Sequence, residues 1–284
     1  MADTARVLEA LGELLQEVAE REILPRWQRL AEGDIISKAS ASDPEDLVTV
    51  ADRVAERVLT ARLPELWPGS VVIGEEAVAE APSVLDALHG ERPVWLVDPI
   101  DGTKNFAAGS QPFGVMVALV EHGETVLSGI YLPVERDLYL AERGSGATCN
   151  GQRFVAHAPG SGKLTGTLYT RFMPPAVLGS LNARPEQLLL AESPQCAAFE
   201  YARLARGARD FALYYRLFPW DHAPGVLLVR EAGGMARSPQ EPGAREYSPR
   251  DAKPMLLVAA DAARWETVRN ALFTPPAGVR PTET

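Results

Sequence analysis

The chain has 284 residues, 46% of them hydrophobic, a formal net charge of −10 and two cysteines, Cys149 and Cys196. That apolar content supports one large core or two interlocked ones, and the charge argues against a general nucleic-acid binder. Two distant cysteines argue against a disulfide framework and for a reducing cytoplasm. The N-terminus carries Asp3 and Glu9 in an amphipathic pattern, and no apolar run approaches the roughly 20 residues a membrane span needs, so neither a signal peptide nor a transmembrane helix is expected.

Val7, Leu8, Leu11, Leu14, Leu15, Val18 and Ile23 recur at helical spacing and predict a helix over 7–24, with Pro25 in the turn beyond. A second helix is expected over 51–63, with Pro64 and Pro68 bounding the loop into a Val71-Val72-Ile73 strand. Val94 to Val97 reads as a short buried strand, which Pro99, having no N–H for a ladder, should break. Asp101-Gly102-Thr103 then reads as a helix start, with Asp or Thr suited to the cap. Segments 113–120 and 125–132 flank His122-Gly123-Glu124 as a hairpin, and 138–141 continues the sheet before the Gly-rich 144–151. The second half alternates between strand and helix: strand 164–170, helix 185–190 opened by Pro185, helix 199–207, strand 211–214, helix 222–233, strand 255–259 and helix 261–272. Ser238 to Asp251 is rich in Pro, Gly and charge and reads as a surface loop, and Pro275 to Thr284 as a frayed tail. No internal repeat is visible. The texture changes near residue 155, dividing a half with paired helices on an antiparallel sheet (1–155) from an α/β half (156–284).

The most informative run is Trp95 to Phe106, WLVDPIDGTKNF, which sets Asp98 and Asp101 three residues apart at a strand end beside a helix start. Two carboxylates next to backbone donors suit hard cations and a phosphate, although an Asp-rich turn that merely caps a helix is an equal reading of the run alone. Its company decides: Ile73-Gly74-Glu75-Glu76 after a strand, Trp220-Asp221-His222-Ala223-Pro224-Gly225 before a helix, and Asp46 to Asp52 before another. Each places a carboxylate where regular structure begins or ends. Together and in this order they resemble the inositol monophosphatase family of metal-dependent phosphomonoesterases, from about Lys38 to the last helix.

That resemblance implies a mixed α/β fold of the α+β kind, a five-layer α-β-α-β-α sandwich of the inositol monophosphatase and fructose-1,6-bisphosphatase type. It implies Mg²⁺, two or three ions per site, with Glu75, Asp98 and the Ile100 carbonyl holding the first and Asp98, Asp101 and Asp221 the second. Glu75 and Thr103 would position the attacking water, Asp52 would accept a hydrogen bond from the Thr103 hydroxyl, and the N–H groups of Gly102 and Thr103 would cradle the phosphate. It also implies Li⁺ sensitivity, a homodimer, and a small phosphorylated metabolite as substrate, with no nucleic-acid or membrane partner. Lys38 to Ser42 resembles a flexible metal-binding loop of the family, with a longer spacer to Asp46. Taken alone, Asp52, Thr103 and Asp221 each have an ordinary reading as helix-capping groups. Trp220 reads as core, His222 as solvent-facing or locally packed, and His89 and His157 receive no role.

The substrate side departs from the inositol-phosphate pattern. A Gly-Ser-Ala-Ala-like stretch is replaced by Gln195-Cys196-Ala197-Ala198, which puts Ala197 at the substrate. Tyr214 stands where a Glu is usual and cannot act as a two-oxygen acceptor. Arg216 could recognise a second anionic group or lie on the surface. Inositol 1-phosphate is the default substrate, with histidinol phosphate, fructose 1,6-bisphosphate, a polyol phosphate and a 3′-phosphoadenosine nucleotide as alternatives. A metabolite-sensing or protein-binding module with vestigial activity is the other class of reading. A dinucleotide binder is weaker, because no G-x-G-x-x-G follows a strand.

Overall fold

The computed structural model describes residues 4–38, 43–156, 162–181, 185–240, 246–250 and 255–273. Helix α1 (Thr4–Val18) buries Val7, Leu11, Leu14, Leu15 and Val18 along one face, and a π-helical turn, Ala19–Ile23, ends it short of the predicted Leu24. Strands β1 (Ile35–Ser37) and β2 (Leu47–Thr49) pair antiparallel. Thr49 then caps α2 (Val50–Leu66): its hydroxyl accepts from Ala51 N, while the Asp52 carboxylate accepts from Thr49 N at 2.8 Å. Pro64 lies inside the last turn of α2 and does not bound the following loop. Next come β3 (Val71–Gly74), α3 (Glu75–Glu80) and β4 (Val94–Asp101).

Pro99 does not break β4. Pairing with β3 ends at Gly74–Val97, and the register to the next strand shifts between Asp98 and Asp101. Pro99 sits in that bulge, where no ladder bond needs its missing N–H. Helix α4 (Thr103–Ala107) follows, and its N-cap is Gly102 with no side-chain cap, not Asp101 or Thr103. The predicted hairpin is present as β5 (Gly114–Glu121) and β6 (Glu124–Leu132), and β7 (Asp137–Glu142), β8 (Gly146–Cys149) and β9 (Gln152–Phe154) complete a seven-stranded sheet in the order β3-β4-β5-β6-β7-β8-β9.

The second half contributes β10 (Leu164–Leu168), α5 (Pro175–Ser180), β11 (Leu188–Leu190), α6 (Ala197–Ala205), β12 (Phe211–Tyr215), α7 (Pro219–Glu231), β13 (Met235–Arg237), β14 (Met255–Ala259) and α8 (Ala262–Phe273). The helix predicted at 185–190 is instead a turn followed by β11, whose Leu188 to Leu190 run parallel to Leu164 to Gly166. Three residues of a sheet edge carry too short an apolar pattern to separate strand from helix. The five strands lie in the order β11-β10-β12-β14-β13. Of the predicted loop 238–251, residues 241–245 and 251 lie outside the described residues, and Arg250 ties the rest to the carbonyls of Leu88 and Gly90. Ala39 to Ser42, His157 and the predicted tail also lie outside them.

Five layers result. α1 and α2 cover one face of the large sheet, α6 and α7 fill the space between the two sheets, and α8 covers the outer face of the small one. The middle layer is the tightest. Gly225 of α7 lies against the fully buried Tyr201 of α6, so a Cβ there would overlap the ring. Among the described residues, no helix is long and apolar enough to cross a membrane. Replacing Gly225 by Ala is expected to destabilise the fold by about 1–3 kcal/mol through overpacking, read as a lower urea midpoint; an unchanged midpoint would mean that α6 and α7 can part freely.

Candidate functional site

Where the ends of β4 and β12 approach the starts of α3, α4, α6 and α7, a cavity of about 520 Å³ opens. Glu75, Asp98, Ile100, Asp101, Gly102, Thr103, Ala197, Tyr214, Arg216 and Asp221 all line it. Asp52 does not. It is fully buried and reaches the cavity through Thr103, whose hydroxyl lies 3.2 Å from Asp52 Oδ1 and 2.9 Å from the Ile100 carbonyl. The second Asp52 oxygen accepts from Thr49 N and, at 2.6 Å, from the Thr49 hydroxyl. One Asp52 oxygen therefore serves the start of α2 and the other meets Thr103. Gly102 has φ +88°, and a Cβ there would lie 2.9 Å from the Pro112 carbonyl. The left-handed backbone and the close Pro112 carbonyl favour glycine where the chain leaves β4 and opens α4.

The carboxylates are held by different partners. Glu75 accepts from Lys38 Nζ at 3.1 Å, and the same ammonium reaches Glu76 at 2.8 Å. Asp101 Oδ2 accepts from Ala198 N at 2.6 Å and from Cys196 Sγ at 3.0 Å, and so closes the start of α6. Among the described residues, no three His, Cys, Asp or Glu side chains converge tightly enough to cage a metal ion as they stand.

Electrostatics follow from this crowding. Burial, then the charges of Glu75, Asp101 and Asp221, holds the Asp98 carboxyl well above its ordinary range. Burial and the charges of Glu75 and Asp101 do the same to Asp221, against the pull of Arg216 and Lys38. Burial raises Glu75 to about 7 despite Lys38, and raises Asp52 to about 7 despite its bonds to Thr49. Burial works against the Lys38 charge, but Glu75 and Glu76 outweigh it and raise the ammonium above its usual range.

Asp98 tests whether a cation fits. It is 2% exposed, and its Oδ1 has no hydrogen-bond partner among the described residues. A buried carboxylate oxygen without a donor is costly, and a divalent ion is the partner that such an oxygen lacks. The donor set of four carboxylates and one carbonyl is all oxygen, which suits Mg²⁺. The softer donors of the cavity are engaged elsewhere. Cys196 remains a buried thiol bonded to Asp101, and His222 Nδ1 lies 2.9 Å from Tyr201 Oη. His222 is 3% exposed, so the solvent-facing alternative fails and local packing holds; burial pushes its pKa down to about 3. Trp220 is core, stacked on Phe218.

On the far wall Tyr214 is stacked between Tyr169 and Tyr201, with ring centroids 4.6 and 5.2 Å away. Tyr214 is 3% exposed and its Oη has no partner. Arg216 is no bare surface residue: its guanidinium lies 3.4 Å from the Phe172 ring centroid and 4.7 Å from that of Phe218. The sequence carries no signal for the pairing of Glu76 with Lys38. Nor does it mark Glu56, which accepts from Glu76 N and Ala77 N at the start of α3, or Arg171, which lines the cavity. These partners lie 20 to 38 residues apart or further, where no local spacing signals contact.

The sequence profile of the inositol monophosphatase family matches residues 3–273. The chain is 33% identical over 194 residues to the fructose-1,6-bisphosphatase/inositol-1-monophosphatase of Thermotoga maritima, covering 67% of this chain and 71% of that one. It is 31% identical over 230 residues to the inositol-1-monophosphatase of Bacillus subtilis, covering 78% and 83%. A solved IMPase structure from Thermotoga maritima superposes with a TM-score of 0.72 at 25% identity, covering 93% of this chain and 97% of that one.

The buried like charges set the pH dependence of stability. Glu75, ordinarily near 4.5, titrates near 7 when folded, so between those values the folded chain binds more protons than the unfolded one. Stability therefore falls as pH rises through that window. With EDTA present, the melting midpoint is expected to drop from pH 5 to pH 7.5, and Mg²⁺ to offset the drop. A flat or rising midpoint in EDTA would contradict the crowding.

Proposed function

Because the chain belongs to the inositol monophosphatase family and is a phosphoric monoester hydrolase of that family, we propose that it hydrolyses a small phosphomonoester in the Asp98 cavity with Mg²⁺ as the metal. The observation that carries this reading is the orphaned, buried Asp98 Oδ1 among Glu75, Asp101 and Asp221. Glu75, Asp98 and the Ile100 carbonyl would hold one ion, and Asp98, Asp101 and Asp221 another, with room for a third near Glu75. Bound there, the ions would supply charge stabilisation for the phosphoryl oxygens and lower the pKa of a bound water.

The chain's own groups do the rest. With its proton directed to Asp52 Oδ1, the Thr103 hydroxyl presents lone pairs to the attacking water and orients it, together with Glu75. Asp52, titrating near 7, is able to take up a proton passed through Thr103 near neutral pH. The N–H groups of Gly102 and Thr103 hold phosphate oxygens. Water attacks phosphorus and gives up a proton, the bond to the alcohol oxygen breaks, and that oxygen takes a proton from solvent as the alcohol leaves. Ala197 would leave space beside the leaving group, and the buried, unpartnered Tyr214 hydroxyl is the group that one of its oxygens would bond. Inositol 1-phosphate is the first substrate to try. Inhibition by Li⁺, a homodimer and a cytoplasmic location complete the reading.

Two variants test it. Asp98→Asn is expected to abolish Mg²⁺-dependent phosphate release, and Thr103→Val to lower kcat by about 10²-fold or more. Substantial activity in Asp98→Asn would sink the site assignment. Tyr214→Phe removes a buried hydroxyl with no partner, so its melting midpoint should hold or rise while KM increases; an unchanged KM would take Tyr214 out of the substrate contacts.

A further inference from the structure

Three cations line the cavity in a chain of net charge −10: Lys104, Arg171 and Arg216. Two of them share one anion. Asp43 Oδ1 lies 2.7 Å from an Arg171 nitrogen, and its Oδ2 lies 3.5 Å from Arg216, so a single carboxylate spans both guanidiniums. Asp43 comes from the segment leading into β2, whereas Arg171 follows β10 and Arg216 follows β12. The pairing therefore joins three separate segments that line the cavity. Glu45, on the same segment, reaches Arg171 at 2.9 Å and Lys104 at 2.8 Å.

Arg216 is built for this position. Phe172 and Phe218 lie close to its guanidinium, a cation–π arrangement that leaves the in-plane N–H groups to choose a partner. Its charge is near enough to the candidate metal-binding carboxylates to bear on Asp221. An anion bound by Arg216 therefore sits within the reach of a small substrate whose phosphate occupies the Asp98 end. Glu45 is 70% exposed, and its ion pairs are of the weak, solvent-screened kind. Glu45 therefore adds little to holding the segment, whereas Asp43 is buried, and its pairing with Arg171 and Arg216 is the contact that a better-charged ligand has to replace.

We infer that Arg171 and Arg216 form a second anion subsite, that Asp43 fills it in the absence of substrate, and that the preferred substrates are phosphomonoesters bearing a second phosphate or carboxylate. This rests on the phosphomonoesterase reading above and adds the leaving-group chemistry. A phosphate presents three oxygens to two guanidiniums where Asp43 presents two, and it carries more charge. The exchange releases Asp43 to solvent only when a doubly anionic ligand arrives. Arg216 thereby acts as a selector, and Asp43 as the internal competitor that a singly anionic ester does not displace.

The test compares kcat/KM within each protein for matched esters, with Mg²⁺ present. One arm sets fructose 1,6-bisphosphate against fructose 1-phosphate, and the other sets 2-phosphoglycerate against glycerol 2-phosphate. The wild-type ratio is expected to favour the doubly anionic ester by about tenfold or more, the worth of one charge-assisted contact. Preference confined to one arm identifies the second group as phosphate or carboxylate. Arg216→Ala and the half-exposed Arg171→Ala should each pull the ratio toward one, and a ratio within one variant cancels any loss of folded protein. Asp43→Asn should lower KM for the doubly anionic ester. Phosphate release with ratios near one, indifferent to Arg171 and Arg216, overturns the subsite and leaves the phosphatase reading standing. An unchanged or higher KM in Asp43→Asn overturns the exchange. No release from any ester overturns both.

Discussion

Asp98 cannot leave the interior and cannot find a donor there. It stands on a strand buried on both faces, with one oxygen unpartnered among the described residues and four other carboxylates, those of Glu75, Asp101, Asp221 and Asp52, near enough to raise its pKa. Mutual repulsion in a poorly solvated place is expensive. The architecture around the cavity can be read as the set of supports that keep these groups together. Lys38 neutralises Glu75, the start of α6 holds Asp101, and Thr49 holds Asp52 in place. Each support belongs to a different element, so the arrangement exists only when the layers are assembled.

The middle layer makes that assembly rigid. α6 and α7 lie between two sheets and begin at the cavity, Ala197 on one and Asp221 near the start of the other. Gly225 against Tyr201 brings the two helices close, and the Tyr169-Tyr214-Tyr201 stack ties them to β12. A change in the interlayer packing would therefore move Asp221 relative to Asp98. Tyr214 and the carboxylates are thus fixed by one framework, while Asp43 meets Arg171 and Arg216 through ion pairs.

The departures from the expected elements share a cause. Pro99 was expected to end a strand because a proline cannot donate to a ladder, but β4 has already lost β3 as a neighbour there and is bulged against β5. Pro185 was expected to open a helix, yet the parallel pairing with β10 makes the following residues a strand. Pro64 fits the last turn of α2. In each case a local rule was sound, and the neighbouring element decided whether it applied.

The sequence by itself determined the family, the kind and place of the longer elements, and which carboxylates stand at their ends, because those features depend on contiguous residues: Trp95 to Phe106, Gly74 to Glu76, Trp220 to Asp221. Periodicity likewise marked α1, the hairpin of β5 and β6, and α8. Only the tertiary structure decided how the carboxylates are held and what faces them. Lys38 to Glu76, Asp101 to Ala198, Arg171 to Asp43 and Arg216 between Phe172 and Phe218 join segments 38 to 128 residues apart or stack side chains whose partners no spacing predicts. Charge and packing act through space, and a linear pattern records only the part of that space that the chain's own helices and strands repeat.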